Sequence, residues 1–308
     1  MLQRTAFLGP GRLLLATVGI VALGVFGRTG ATQQPDGQFI RYSDDGNRLH
    51  IVPSLDVLSR IPTARRGLSA QDDGGVVQGN ATVYPSPYNQ LPLIDHGDPE
   101  IANARVQAVY WNTSVANATA TSLGYATIKD QINAFINAFA DGVNWRDTVT
   151  ADYTIIQQYG SHATIAPTLG NTALYVDAQT TTASITDTQI RQYLAGRFTA
   201  GALAPTANTL YALFLPPGMA VNAGGGAVSC SVFCGYHSAF LYNGTYILYA
   251  AMPYLNCNGC RFVSGGTVAD QLTVVLSHET REAVTDTFNS WYDANGDEAD
   301  DKCNSTHL

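Results

Sequence analysis

The sequence predicts an α+β (mixed α/β) domain in which a mixed sheet precedes a C-terminal helix carrying H-E-x-x-E. Three observations predict it. Strand-like and helix-like segments follow one another along the middle of the chain as strand, helix, strand, helix, strands. The last helix, in the stretch Ala269 to Asp301, places carboxylates on its apolar side. All 5 cysteines lie around that helix, in the last quarter of the chain.

In chain order, Arg4 and Arg12 precede an apolar run from Leu13 to Phe26, and small residues follow to Ala31. That order of charged, apolar and small residues predicts a signal peptide over residues 1–31, cleaved near Ala31. The run is shorter than the ~20 residues of a membrane span. Residues 32–95 are rich in Gln, Asp, Gly, Ser and Pro and read as a poorly structured low-complexity extension or propeptide, with Arg65-Arg66 as a candidate processing site. The domain is expected over residues 96–308.

Within it, Ala104 to Trp111 is apolar and β-branched enough for a strand. Ile128 to Phe139 has helical spacing, with Ile132, Phe135, Ile136 and Phe139 on one face. Tyr153 to Tyr159 reads as a second strand, Thr186 as the cap of a helix reaching about Arg197, and Thr209 to Leu215 as a buried strand stopped by Pro216-Pro217-Gly218. The glycines before Cys230 lack the order and the Lys of a phosphate-binding loop and predict a flexible loop instead. Ala239 to Met252 holds one or two strands, bent at Asn243-Gly244.

The final helix is the unusual element. At about 100° per residue, Leu272, Val275, Leu276 and Ala283 share one arc, with Asp270, Ser277 and Arg281 opposite. Glu279 and Asp286 fall inside the apolar arc, and His278 and Glu282 along its edge. Carboxylates on a core face are costly unless paired, protonated or bound to metal. In H-E-x-x-H helices two histidines one turn apart bind zinc and the Glu between them is the general base. Here Glu282 replaces the second His, and a carboxylate oxygen is an accepted zinc ligand. Placing such a helix after the sheet is compatible with a zincin-like single domain.

A catalytic zinc wants three protein ligands. His278 and Glu282 supply two, and Asp286, Asp293, Glu298, Asp301 and His237 compete for the third. Glu298 is the preferred choice, with Asp301 supporting or substituting for it. Glu279 is the expected base, and His237, after Cys234-Gly235-Tyr236, a candidate proton donor or transition-state stabiliser. A rival site for Ca2+ runs through Asp293, Asn295, Asp297 and Asp301, though the Gly and closing Glu of an EF-hand loop are missing.

The chain is acidic, with net charge −8 and only 13% charged residues, so it offers no basic stripe for nucleic acid. Export favours disulfides over a structural zinc for Cys230, Cys234, Cys257 and Cys260, with one cysteine of the five left over and the pairing open.

From His96 onward the sequence resembles the phosphate-induced, EXORDIUM-like extracellular proteins and their microbial zincin-like relatives. The pieces that carry the likeness are HGDPEIANARVQAVYW, LYALFLPPGMAV, FCGYHSAF, NCNGC and SHETREAVTD…WYD…DEADDKC, in that order. The family often reads HGGP where this chain has His96-Gly97-Asp98-Pro99, and its plant members tend to carry Asn where Asp286 stands. The resemblance implies a secreted or wall-associated domain and no demonstrated reaction. Together these observations predict a secreted zinc-dependent hydrolase, a peptidase using metal-activated water on a peptide or protein substrate. The alternative is a non-catalytic extracellular protein that binds wall or matrix material around a structural metal.

Overall fold

Two short strands, β1 (Ile40–Tyr42) and β2 (Arg48–Pro53), and a helix α1 (Leu55–Arg60) open the computed structural model. It describes residues 39–60, 76–78, 81–83, 93–140, 156–157, 159–160, 165, 170–171 and 174–303. They lie in one unit, Gln34–Leu308. A small hairpin, β3 (Val76–Gln78) with β4 (Ala81–Val83), is followed by β5 (Ile94–Asp95), β6 (Arg105–Tyr110), α2 (Thr113–Ala116) and α3 (Ile128–Ala140). Next come β7 (Gly170–Asn171), β8 (Tyr175–Val176), β9 (Ser184–Thr186), α4 (Asp187–Thr199), β10 (Thr209–Phe214), β11 (Ala220–Gly224) and β12 (Ala227–Val228). The chain then forms β13 (Phe233–Tyr242), β14 (Thr245–Met252), α5 (Val268–Thr285) and β15 (Trp291–Tyr292). The fold is mixed α+β.

The main sheet runs β1-β2-β13-β14-β10-β6-β7, with β8 also on β6. One half is parallel, where β14, β10 and β6 pair with one another, and the other is antiparallel, where β14, β13, β2 and β1 do. β10 is buried at all six positions, the pattern of a strand covered on both faces. On the neighbouring β6, Tyr110 stacks on Phe214, its register partner.

Side-chain alternation along β13 sorts the two faces. Tyr236 donates a hydrogen bond to Asp187 Oδ1 at the start of α4, as does Tyr249 from β14. The residues on either side of Tyr236, Gly235 and His237, face α5, where Val275 and Glu279 stand. The register of β13 on β2 shifts between Phe233 and Gly235, after which His237 pairs with His50. A local irregularity of this kind re-aims side chains.

Several expectations hold. Thr186 caps α4 with a full capping box, in which its hydroxyl accepts from the Gln189 N–H and the Gln189 side chain accepts from the Thr186 N–H. Asn243, at φ 46, and Gly244, at φ 82, turn β13 into β14, as an Asn-Gly hairpin requires.

Others are corrected. Residues 32–95 were expected to be poorly structured and the domain to begin at His96. Instead β2 sits inside the main sheet, and Leu49, Ile51 and Val52 are fully buried. Pairing with β13 from far along the chain supplies the burial that the local composition lacks. Tyr153 to Tyr159 was expected as a strand, yet Ile156, Gln157 and Tyr159 lie in a 3-10 turn. The glycines before Cys230 include a turn between paired strands: Gly224, Gly225 and Gly226 all have positive φ and join β11 to β12. Asp270, expected on the wet side of α5, is buried because it closes a capping box with Thr267 and accepts from Gln131 Nε2. The signal peptide over 1–31, Arg65-Arg66 and Tyr153 to Ile155 lie outside the described residues.

Two disulfides form, Cys230–Cys257 and Cys234–Cys260. They tie the loop after β14 to the start of β13, the strand that carries His237.

Candidate metal centre

α5 supplies the first part of the site. Leu272, Val275, Leu276 and Ala283 are fully buried, and sealing each of the first three contributes about 1.5–3 kcal/mol. This seating carries the following turn inward, so that His278, Glu279 and Glu282 are also buried. His278 Nε2 stands 2.9 Å from Glu282 Oε2, one turn along the same face. Gly235 permits the close approach. A Cβ there would lie 2.4 Å from Val275 Cγ1 and 3.2 Å from Glu279 Oε1.

The strands supply the second part. His50 on β2 and His237 on β13 are register partners, with stacked rings 4.9 Å apart. His237 Nδ1 lies 2.9 Å from Glu279 Oε2 and 4.0 Å from Glu282 Oε2.

The segment after α5 closes the cluster. Its 3-10 turn, Asp300–Cys303, directs the Asp300 and Asp301 N–H groups to Glu282 Oε1, at 3.2 and 3.0 Å. Arg281 fixes that turn to the helix through Asp300, at 2.6 Å. Asp301 Oδ2 accepts from the Glu298 N–H, while Asp301 Oδ1 stands 3.8 Å from His278 Nε2. Glu298 goes the other way: Oε2 lies 3.6 Å from His237 Nε2, and Oε1 touches His50 Nδ1.

Three overlapping groups result, each with donor atoms mutually within 4.8 Å: His278–Glu282–Asp301, His237–Glu279–Glu282 and His50–His237–Glu298. Thus Asp301, rather than Glu298, shares a group with His278 and Glu282. Glu298 joins His237 and His50, and His50 is the residue that sequence reasoning missed. Asp286 Oδ1 accepts from the Trp291 N–H at the foot of the helix, and Asp286 belongs to none of the three groups. Two residues of the calcium reading, Asp293 and Asp301, have different neighbours. Asp293 Oδ1 accepts from the N–H groups of Asn295 and Asp297 within its own turn, whereas Asp301 faces His278.

No protein family, curated protein or solved structure matches the chain.

The site therefore has to be understood from its own chemistry. Glu279 and Glu298 are 0% exposed, and the most open member of the cluster, His50, is 8% exposed. Burial, with the neighbouring Glu282 and Asp300 charges, holds the Glu279 carboxyl well above its usual range. Burial, with the nearby His278 and Arg48, pushes His237 down to about 3. Burial also works to lower His278, but Glu282 and Asp300 outweigh it and raise His278. Burial thus disfavours the charged form of both His237 and Glu279. The side chains gathered here are nevertheless of the kinds that could hold a metal ion.

The donors fit such an ion. Ligands about 2.0–2.1 Å from a tetrahedral zinc stand about 3.3 Å from one another. The separations of 2.9 and 3.8 Å around His278 Nε2 bracket that value. His237 Nε2, Glu279 Oε1 and Glu298 Oε2 are buried with no hydrogen-bond partner among the described residues. Leaving such groups unmet costs about 1–3 kcal/mol each, more when charged.

Proposed function

We propose that this chain is a secreted zinc-dependent hydrolase, acting on peptide bonds, with a zincin-like arrangement of sheet and metal helix. The observation that carries the proposal is the placement of Glu279. It stands between a His278–Glu282–Asp301 donor set and the His237 imidazole that holds one of its oxygens. His278 Nε2, Glu282 Oε2 and Asp301 Oδ1 would hold the ion. When bound, it supplies Lewis acidity, acidifying a water and polarising the scissile carbonyl.

The chain's own residues do the rest. His237 Nδ1–H fixes Glu279 Oε2, which leaves Oε1 to take the proton from the attacking water. Glu279 then returns that proton to the leaving amine. The Asp300 and Asp301 N–H groups keep Glu282 oriented toward His278. The charged, apolar and small residues ordered over 1–31 support export, as do the two disulfides. The EXORDIUM-like resemblance points the same way.

The test compares the oxidised full chain with Glu279→Gln on a peptide library. Expected are zinc in both proteins and cleavage by the first alone, abolished by chelation. Undiminished cleavage by Glu279→Gln would overturn the mechanism.

Burial of the whole cluster favours a second reading. A peptide carbonyl reaches the site only if the surrounding shell parts. Where it does not, the ion is structural and the domain is a non-catalytic extracellular binding protein. Zinc that stabilises the fold, without turnover of any peptide in the library, selects this reading.

A further inference from the structure

The hydrolase reading uses His278, Glu282 and Asp301 as ligands and leaves His50 and Glu298 without a task. Glu298 is 0% exposed; its Oε1 touches His50 Nδ1, while its Oε2 has no hydrogen-bond partner among the described residues. Its backbone is nonetheless held in place, because its N–H donates to Asp301 Oδ2 at 3.0 Å. A rigidly seated carboxylate is thus aimed at two imidazoles. One of these, His237, has its two nitrogens in different settings. Nδ1 meets the Glu279 carboxylate at 2.9 Å, while Nε2 faces Glu298 Oε2 at 3.6 Å with no hydrogen bond. One ring nitrogen on a carboxylate and the other turned to a shared space is how a metal-bound histidine is usually held. The other imidazole, His50, is fixed by the sheet, directly opposite His237, with Nδ1 against Glu298 Oε1.

We propose that His50, His237 and Glu298 bind a second divalent transition-metal ion beside the His278–Glu282–Asp301 site. Two imidazoles and one carboxylate suit zinc or cobalt rather than calcium or magnesium, which prefer oxygen alone. The 3.6 Å between His237 Nε2 and Glu298 Oε2 lies close to the separation of about 3.3 Å between neighbouring ligands of a tetrahedral ion. The two sites share no ligand. They do touch, since His237 Nδ1 and Glu282 Oε2 are 4.0 Å apart. Occupation of the second site does not depend on the chain being a hydrolase.

The experiment is a Co2+ titration of the metal-free, disulfide-bonded full chain, followed by visible absorbance, with bound metal counted by mass spectrometry. The wild type is expected to saturate at two equivalents. His50→Ala and Glu298→Gln are each expected to lose one equivalent, and Asp301→Ala to lose the other. Glu298→Gln keeps the side-chain volume and guards against a folding failure in His50→Ala. Cobalt uptake by both His50→Ala and Glu298→Gln equal to that of the wild type would overturn the proposal. Uptake that falls in those two variants but is untouched in Asp301→Ala would support this site and refute the ligand set assigned to the hydrolase.

Discussion

Replacing Gly235 by Ala tests how tightly α5 must sit on β13 for the cluster to exist. The added methyl would lie 2.4 Å from Val275 Cγ1 and 3.3 Å from the Ala251 carbonyl oxygen. Carbon atoms settle at about 3.5–4.0 Å, so either α5 withdraws by about 1 Å or Val275 leaves its rotamer. Overpacking of this kind costs about 1–3 kcal/mol. Backbone behind the methyl blocks relaxation on that side, so the upper end is expected. The shift also separates His237 on the strand from Glu279 and Glu282 on the helix. Zinc affinity is then expected to fall roughly 10–100-fold, as when the outer support of metal ligands is lost.

Val275→Ala removes the clashing atoms and alone costs about 2 kcal/mol for a buried side chain. Combined with Gly235→Ala it is expected to recover about 2 kcal/mol relative to additivity, together with most of the zinc affinity. Guanidinium unfolding followed by tryptophan fluorescence, and zinc competition against a chelating dye, measure both quantities. If Gly235→Ala unfolds and binds zinc like the wild type, or if the two changes simply add, the packing argument fails.

Other outcomes follow from the same structure. With zinc in the site as proposed, removing it by dialysis against chelator is expected to cost about 4 kcal/mol when free zinc had stood at about 1,000 times its dissociation constant. That is a fall of roughly 8–16 °C in midpoint by calorimetry for a domain of this size. The paired changes Cys230→Ser with Cys257→Ser, and Cys234→Ser with Cys260→Ser, open loops whose ends are 27 and 26 residues apart. Each pair is expected to lower stability by about 3 kcal/mol in denaturant, and the second to weaken zinc binding more, since Cys234 is three residues before His237. Burial works to raise the Asp177 carboxyl, but the Ala178 N–H, the Tyr193 hydroxyl and the Arg197 charge together hold it below its ordinary 3.8. Its stabilisation is therefore complete above that value and lost as pH falls through the folded value. Asp177→Asn is expected to cost about 1–2 kcal/mol at neutral pH, with the difference from wild type narrowing in acid unfolding curves.

Much of this was legible in the sequence where the signal is local. Thr186 announces the α4 cap, Asn243-Gly244 the central hairpin, and the carboxylates misplaced on the apolar arc of α5 announce the cluster. What stayed hidden is set by distant partners. Arg48–Pro53 is six residues in a polar neighbourhood, and only pairing with β13 makes it a core strand. His50 disappeared with it, although a histidine inside the apolar run Leu49, Ile51 and Val52 was a visible hint. The choice between Glu298 and Asp301 was equally out of reach. It depends on a 3-10 turn anchored by Arg281 and Asp300, and no spacing rule encodes the direction in which each carboxylate leaves that turn.

The cluster draws His50 from near the start of the described chain and Glu298 and Asp301 from near its close, while the inner strands β6, β10 and β14 contribute no ligand. Those strands and α5 have a hydrophobic reason to assemble whether or not the two ends have arrived. Closing the largest loop is entropically the slow part of such a topology. A nascent chain therefore has its inner strands before it has its cluster, and a fragment trimmed at either end loses members of that cluster. Assembly of the cluster, followed in time, would mark the last folding event of this protein and tell a finished molecule from a merely collapsed one.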